Sequence, residues 1–385
     1  MKACRAFCTT IFSLMITVTP SLSEEPVAIL PAGETLFSEY DPDAKADTNV
    51  SGASCFGEGH CILVADEMVA VQQIHLDPDE SQPTFKTGPT YGLLFDEHCT
   101  DLGKRKHCEE VDLEAIARQD RTFYMTGSMG NRSRSGKRAK DRWFLARFGI
   151  TKTGEPKSES LVVQSSRPIL KQLYAGHEDL APYLELPLQC GGVNVEGFAV
   201  IADQMFFGLR SPADLKSGGA FVVQTPESVL SAKRKSDVPE TILHRLTFRQ
   251  SDGKPIKGVG IRALEALGER LLIATGDAGV SAPSSKSRRE DIESRCAVVP
   301  GGPALPFIKA GKPMVPRIWI WDPNSNRDPI EIARLGGPYT DEKLEGIALL
   351  DAPTDNTSVI DLLLTIDGQN DVEALALLKG IKIPD

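Results

Sequence analysis

Histidine and tryptophan are scarce in this 385-residue chain, which has six histidines and three tryptophans. The histidines are scattered and show neither an HExxH nor an HxH spacing. No GxSxG, P-loop or GxGxxG motif follows a strand-like segment, so α/β-hydrolases, nucleotide-binding and dinucleotide-binding proteins lack their signals here. No CxxC pair occurs either, which argues against a zinc site of the usual spacing.

Positive charge is also in deficit, with 43 Lys and Arg against 53 Asp and Glu and a net charge of −10. This balance excludes non-specific nucleic-acid binding as the main task, and no nucleic-acid partner is expected. Hydrophobic residues make up 41% and charged residues 25%, the ordinary globular range. Beyond the N-terminus no stretch reaches the roughly 20 apolar residues of a transmembrane helix, so the mature chain is expected not to span a membrane.

The N-terminus has the features of an export signal. Lys2 and Arg5 precede an apolar run over residues 11–18, and Ser21-Leu22-Ser23 follows it. Such an order predicts a signal peptide over residues 1–23 and a mature domain over residues 24–385. The expected location is the periplasm or the outside of the cell.

The mature chain keeps six of the eight cysteines, an even number in a compartment where disulfides persist. Six cysteines allow 15 pairings, and the sequence does not fix the choice. Pairing Cys55 with Cys61 and Cys99 with Cys108 would close two short loops and leave Cys190 to meet Cys296.

A short phrase of strand character returns five times. The copies begin at Asn49, Asp112, Asn194, Gly260 and Lys343. A second strand-like run that ends in a polar residue follows each copy, and two further runs complete a four-stranded unit. Four short strands per unit are typical of a propeller blade, so we predict an all-β fold with one β-propeller of five blades.

Two alternatives stay open at this point, a sixth degenerate blade and a two-sheet β-sandwich with chance similarities. The last unit is one strand short, whereas Val27-Ala28-Ile29-Leu30 precedes the first. We therefore predict that this N-terminal strand completes the last blade and closes the ring.

The first strand of each blade lines the channel of a propeller, so residues at equivalent positions should form a ring. That channel ring is Ser51, Glu114, Glu196, Arg262 and Glu345. The residues that end the second strands should form a neighbouring layer, which is Asp66, Ser128, Arg210, Asp277 and Asp367. Three converging glutamates need a cation, Arg262, or a protonated carboxyl with a raised pKa.

These phrases resemble the bacterial family of domain of unknown function 3616, in particular Asp112-Leu113-Glu114, Val195-Glu196-Gly197, Gly208-Leu209-Arg210, Gly260-Ile261-Arg262 and Leu344-Glu345-Gly346. The resemblance supports the propeller fold and implies no activity. The phrases are also distantly similar to phytase-like esterases and gluconolactonase-type propellers, where a glutamate at this place reaches a channel metal. Glu196 and Glu345 match that phrase, Glu114 lacks its glycine, and Arg262 replaces the acid.

Two functions are compatible with this pattern. The first is a metal-assisted hydrolase of a small anionic ester, with Glu114, Glu196 and Glu345 as catalytic or Ca²⁺-binding acids. Arg210, Arg262, Asp66, Ser128, Asp277 and Asp367 would then bind the ligand. The alternative is a non-enzymatic binding or interaction scaffold that uses its loops, with the channel residues as a structural ionic plug.

Overall fold

The computed structural model describes residues 23–31, 36–37, 49–57, 59–66, 68, 70–78, 82–92, 112–131, 142–214, 217–279, 286–297, 314–351, 358–367 and 373–384. Almost all regular structure in these ranges is β. No helix in these ranges is long and apolar enough to cross a membrane. Apart from Ser23, the predicted signal peptide lies outside the described residues.

The first three blades follow one another along the chain. Blade 1 contains β4 (Val50–Cys55), β5 (His60–Ala65), β6 (Val71–Asp77) and β7 (Thr84–Tyr91). Blade 2 contains β8 (Leu113–Gln119), β9 (Thr122–Gly127), β10 (Leu145–Ile150) and β11 (Pro156–Gln164). Blade 3 contains β12 (Asn194–Ile201), β13 (Gln204–Ser211), β14 (Gly219–Pro226) and β15 (Ile242–Thr247).

The remaining chain forms two more blades and a few short helices. Blade 4 contains β16 (Val259–Leu267), β17 (Arg270–Asp277), β18 (Arg317–Trp321) and β19 (Ile330–Leu335). Blade 5 contains β20 (Lys343–Leu349), β21 (Val359–Asp367) and β22 (Leu375–Lys382). The α-helices are α1 (Arg167–Leu170), α2 (Gln172–Ala175) and α3 (Lys286–Ala297). The 3₁₀ helices are Ala181–Tyr183, Leu188–Cys190, Glu227–Ser231, Lys235–Asp237 and Gly337–Asp341.

The predicted closing strand is confirmed, and the segment that contains it also pairs with two further blades. β2 (Val27–Ala28) pairs antiparallel with β22 and becomes the fourth strand of blade 5. On either side of it, β1 (Ser23–Glu24) pairs with β19 of blade 4 and β3 (Leu30–Pro31) with β7 of blade 1. One short segment thus joins the outer strands of three blades.

The blades form a closed ring of five. Each inner strand contacts the inner strands of both neighbouring blades, and β20 of blade 5 returns to β4 of blade 1. Five clusters of buried apolar side chains fill the five interfaces between neighbouring blades. The prediction of a five-bladed propeller is therefore confirmed, and the core lies between the blades rather than in the channel.

Two disulfides join described cysteines. Cys55 and Cys61 are bonded across the β4–β5 turn, and Cys190 and Cys296 join a 3₁₀ helix to α3 over 106 residues. Both pairings agree with those expected from the sequence. Cys99 and Cys108, the third expected pair, lie outside the described residues.

Candidate functional site in the central channel

All five residues of the channel ring occupy the same irregular position in their blades. The pairing of each first strand with its second strand shifts register at this point, skipping Ser51, Glu114, Glu196, Arg262 and Glu345. Such a β-bulge leaves one residue unpaired and re-aims its side chain. The fivefold bulge therefore explains why polar side chains occur within buried strands.

One half of the channel ring is an ionic network across three blades. Arg262 Nη1 in blade 4 donates to Glu196 of blade 3 at 2.8 Å and to Glu345 of blade 5 at 3.2 Å. Arg210 Nη1 donates to the other carboxylate oxygen of Glu196 at 2.7 Å. Because the β12–β13 pairing also skips Arg210, its side chain stands beside Glu196. Both acids thus have a positive partner.

The arginines also reach backbone oxygens, which fixes their orientation. Arg210 Nη2 donates to the Gly279 carbonyl at 2.7 Å, and Arg262 Nη2 to the Asp277 carbonyl at 3.1 Å. The side chains of Arg262 and Glu196 are each only 3% exposed. A buried pair of this kind is tolerated because each group is hydrogen-bonded by the other.

The pKa shifts of these buried groups reflect burial and their pairing. Burial would raise the pKa of Glu196, but Arg210 and Arg262 outweigh it and hold that pKa below its ordinary value. Burial would lower the pKa of Arg262, yet Glu196 and Glu345 raise it. The pKa of Glu345 is raised because burial and Glu196 outweigh the attraction of Arg262.

The channel ring opens on a cavity of about 240 Å³, which is lined by Ser51, Glu114, Glu196 and Glu345 of the ring. Its acidic walls include Glu114 of the ring, Asp66 after β5 and Asp112 before β8. Ser51 also lines this side, and its hydroxyl donates to the Leu113 carbonyl of the next blade. Glu196, Glu345 and Asp367 line it as well, so acids of blades 1, 2, 3 and 5 converge on the cavity.

Glu114 is the distinctive group of this cavity. Its pKa is raised well above the ordinary value, first by burial and then by the charges of Asp112, Glu196, Asp66 and Glu345. Within the described part of the chain, no basic side chain forms an ion pair with it. A carboxyl in this setting is favoured in its protonated form.

The second predicted layer is divided between the cavity and the protein interior. Asp66, Arg210 and Asp367 line the cavity, and Asp367 forms an ion pair with Lys343. Asp277 instead accepts a hydrogen bond from the Met314 amide at 2.6 Å. Ser128 is buried, and its backbone bonds to Asp112 and Val195. Neither Ser128 nor Asp277 lines the cavity.

Four further wall residues escaped the sequence analysis, although a signal for them was present. Asn49, Asp112, Asn194 and Lys343 each lie two positions before a ring residue and line the cavity. Side chains two apart on a strand share a face, so the ring positions could have predicted this layer. Arg142, which binds Asp112 at 2.8 Å, carried no such signal because it lies outside the repeated phrase.

The donor set fits an arginine better than a metal at the three glutamates. Arg262 stands between Glu196 and Glu345, where a bound cation would meet its guanidinium. Within the described ranges, no group of three or more His, Cys, Asp or Glu side chains has the arrangement of a metal site. No catalytic step is therefore assigned to a metal.

The matched family model covers blade 3 and the first two strands of blade 4, which supply Glu196, Arg210 and Arg262 of this network. Residues 150–282 match the family described as Protein of unknown function (DUF3616). The expected resemblance is thus confirmed over this segment, which contains Glu196, Arg210, Arg262 and Asp277. Similarity to DUF3616 carries no assigned activity.

Solved structures similar to this chain include several propellers at very low identity. The native Bacillus subtilis arabinanase shares 8% identity over 86% of this chain and 96% of its own, with a TM-score of 0.37. Agrobacterium tumefaciens regucalcin, a calcium-binding protein, shares 11% over 92% and 96%, with a TM-score of 0.32. Scores this low carry no argument about function. No curated protein sequence matches the chain.

Proposed function

We propose that the channel cavity binds a small polar molecule and that Glu114 is its acid–base group. The observation that carries this proposal is the position of Glu114, a desolvated carboxyl with a raised pKa on the wall of a cavity. Carboxyls tuned upward by burial are suited to proton transfer near neutral pH. Ester hydrolysis is the reaction class we assign to it.

Each protein group has a defined part in this reaction. Protonated Glu114 donates its proton to the carbonyl oxygen of the ester as water adds to the carbonyl carbon, and its carboxylate then takes a proton from the added water. In the second half Glu114 donates this proton to the leaving oxygen as the C–O bond breaks. Its carboxylate then takes the proton from the carbonyl oxygen of the product acid, which restores protonated Glu114. Arg210 and Arg262 hold Glu196 and Glu345 in place and so keep the floor of the site rigid. Asn49 and Asn194 offer amide groups to the ligand from the wall.

The charge of the walls favours a neutral ester, such as a lactone, over an anionic one. Glu114 is surrounded by the acids Asp66 and Asp112, whereas Arg210 and Arg262 are engaged with Glu196 and Glu345. Like charges repel in a low-dielectric cavity. An anionic ester therefore remains in the test as the competing substrate.

A turnover assay tests the proposal. Purified protein is incubated with a lactone, a carboxylic ester and a phosphate ester, and the pH dependence of the rate is recorded. We expect hydrolysis of a neutral ester, a rate that falls as pH rises through the pKa of Glu114, and a loss of at least about a hundredfold in E114Q.

The matched control is E159Q, an exposed glutamate of the same blade, which should keep the wild-type rate. Full activity of E114Q, or no turnover of any of the three esters, would refute the hydrolase.

Calcium binding by Glu114, Glu196 and Glu345 stays a separate prediction. Carboxylate oxygens are suitable ligands for Ca²⁺, although Arg262 is already paired with two of these acids. Elemental analysis of the purified protein, followed by calorimetric titration of the chelator-treated protein with Ca²⁺, tests it. Heat of binding that E114Q abolishes would support the prediction, and absence of both metal and heat would exclude it.

A structural ionic plug is the second candidate, and the network around Arg262 supports it for one half of the ring. Arg262 connects blades 3, 4 and 5 through Glu196 and Glu345, which fixes the arrangement of these blades. In the alternative function the loops rather than the channel bind a partner. That alternative predicts no ligand for the cavity and an unchanged fold in E114Q.

We also propose that the protein is exported to the periplasm or secreted. The support is the N-terminal sequence of signal type together with the disulfides Cys55–Cys61 and Cys190–Cys296. Cell fractionation, with N-terminal sequencing of the mature protein, tests this. A mature chain that begins near Glu24 in the exported fraction is the expected result.

A further inference from the structure

A second cavity, of about 570 Å³, lies at the opposite end of the inner strands from the channel ring. Its walls are three turns that belong to blades 1 and 2. Phe56 and His60 flank the β4–β5 turn, Asp120 and Arg121 form the β8–β9 turn, and Lys152 follows β10. We call it the interblade cavity. Its volume lies in the range of small-molecule sites.

The interblade cavity has a rigid frame. The Cys55–Cys61 disulfide closes the β4–β5 turn, and the Phe56 amide donates to the His60 carbonyl at 2.8 Å. Across the cavity, the Ile150 amide donates to the Arg121 carbonyl at 2.9 Å. The walls are therefore fixed by backbone bonds and by a covalent link.

The charge of these walls is opposite to that of the whole protein. Arg118, Arg121 and Lys152 line the interblade cavity, with Asp120 as the single acid among its described lining residues. None of the three basic groups has an ion-pair partner among the residues that the structure describes, whereas Arg142, Arg147 and Arg167 in the same part of the chain do. Three basic groups without carboxylate partners favour an anion.

Burial weakens Glu265 as a counter-charge for this site. Its carboxyl lies close enough to Arg118 to be affected by that charge, but burial raises the pKa of Glu265 to about 8. Burial therefore disfavours the charged form of Glu265, although the charge of Arg118 acts in the other direction. Arg118 Nη1 donates to the Asp120 carbonyl at 3.1 Å, which orients the guanidinium at the wall and leaves its other donors for a ligand.

An aromatic surface completes the interblade cavity. The rings of Phe56 and His60 are stacked with centroids 5.7 Å apart, and Phe123 supports Phe56 edge-on at 5.9 Å. Planar ligands pack well on such surfaces, and guanidinium groups bind phosphate or carboxylate in a bidentate manner.

We propose that the interblade cavity binds a small organic anion. Its phosphate or carboxylate contacts Arg118, Arg121 and Lys152, and its planar part packs against Phe56 and His60. This site is separate from the channel cavity, so it can bind its ligand whether or not Glu114 has a catalytic role.

Calorimetric titration with three probes tests the proposal, namely phenyl phosphate, benzoate and inorganic phosphate. We expect saturable binding of an aromatic anion that weakens with added salt, and weaker binding of inorganic phosphate because it lacks the ring. R121A should weaken binding about tenfold, since it removes a charge-assisted hydrogen bond. K152A should weaken it less, as a single flexible ammonium is lost.

The matched control is K233A, an exposed lysine between β14 and β15 that forms no ion pair with another described residue, and it should bind like the wild type. E114Q should also bind like the wild type, which separates this site from the channel. No saturable binding of either aromatic anion, or equal affinity in wild type and R121A, would overturn the proposal. Equal affinity for phosphate and phenyl phosphate would overturn the role of the aromatic surface.

Discussion

At the scale of single residues, Arg262 and Glu114 occupy different electrostatic settings in the channel ring. Three glutamates facing one channel repel one another, and two effects together reduce this repulsion. Arg262 supplies positive charge to Glu196 and Glu345, whereas burial and acidic neighbours favour protonation of Glu114. The ring therefore combines an ionic network with the carboxyl to which we assign the proposed acid–base role.

Removal of Arg262 is expected to be costly. R262M would leave Glu345 without its arginine and Glu196 with Arg210 alone, inside a buried network. Breaking one partner of a buried ion pair costs about 3–5 kcal/mol in the free energy of unfolding. Urea denaturation of R262M and of the wild type measures this loss of stability. The exposed pair Arg249–Asp328 gives the control, because R249M should cost no more than about 1 kcal/mol.

Glu114 should make the stability of the protein depend on pH. An unfolded glutamate has a pKa of about 4.3, and the folded pKa of Glu114 is higher. Protonated Glu114 therefore favours the folded state of the protein at low pH. This contribution to the free energy of unfolding is lost as pH rises from about 4.3 through the folded pKa. E114Q should match the wild type near pH 4 and exceed its free energy of unfolding at pH 8.

The comparison is made by urea denaturation at a series of pH values, with E159Q as the control. E159Q should follow the wild-type curve. A stability difference between E114Q and wild type that does not change with pH would contradict the raised pKa.

At the scale of elements, the glycine that follows the bulged acid determines how closely the inner strands of neighbouring blades can pack. A side chain at Gly346 would meet Thr365 of its own blade and approach the Gly52 Cα of blade 1 within 3.0 Å. The inner strands of neighbouring blades come so close here that only glycine fits. This close approach explains the Glu-Gly phrase in packing terms.

G346A should therefore destabilise the protein by about 1–3 kcal/mol, the usual cost of overpacking. Thermal or urea unfolding measures the loss. G176A is the control, because no heavy atom lies within 4 Å of the added methyl group, and its effect should stay within about 0.5 kcal/mol.

Much of the inner part of each blade was predictable because one phrase carries both the bulge and its side chain. Asp112-Leu113-Glu114 and Lys343-Leu344-Glu345 align without any knowledge of the fold. The pairing of Arg142 with Asp112 was not predictable, since residues 128–141 separate Arg142 from β9 and Arg142 lies outside the repeated phrase. The interblade cavity was missed for a related reason, because its walls are turns that show no periodicity.

At the scale of the whole molecule, the N-terminal segment closes the ring. Ile29 is only 1% exposed, and its amide donates to the Leu375 carbonyl of blade 5 at 3.0 Å. The sequence predicted a strand for the last blade, but the pairing with blades 4 and 1 involves two-residue strands that leave no pattern. Their position depends on the outer strands β19 and β7 with which they pair.

I29A is expected to weaken this closure. Truncating a buried isoleucine costs about 2–5 kcal/mol, and here the loss falls on the interface of blades 5 and 1. V27A is the control, since Val27 is 44% exposed and should change stability by less than about 0.5–1 kcal/mol. Equal losses in both variants would mean that the segment does not seal this interface.

The most direct test of the account is a pH titration of the Glu114 carboxyl by NMR, in protein labelled with ¹³C at the glutamate carboxyl. E114Q assigns the signal. The account predicts that Glu114 titrates well above about 4.3, because burial and the acids of neighbouring blades converge on it. Titration at or below that value would contradict the convergence of the five bulged residues on one channel.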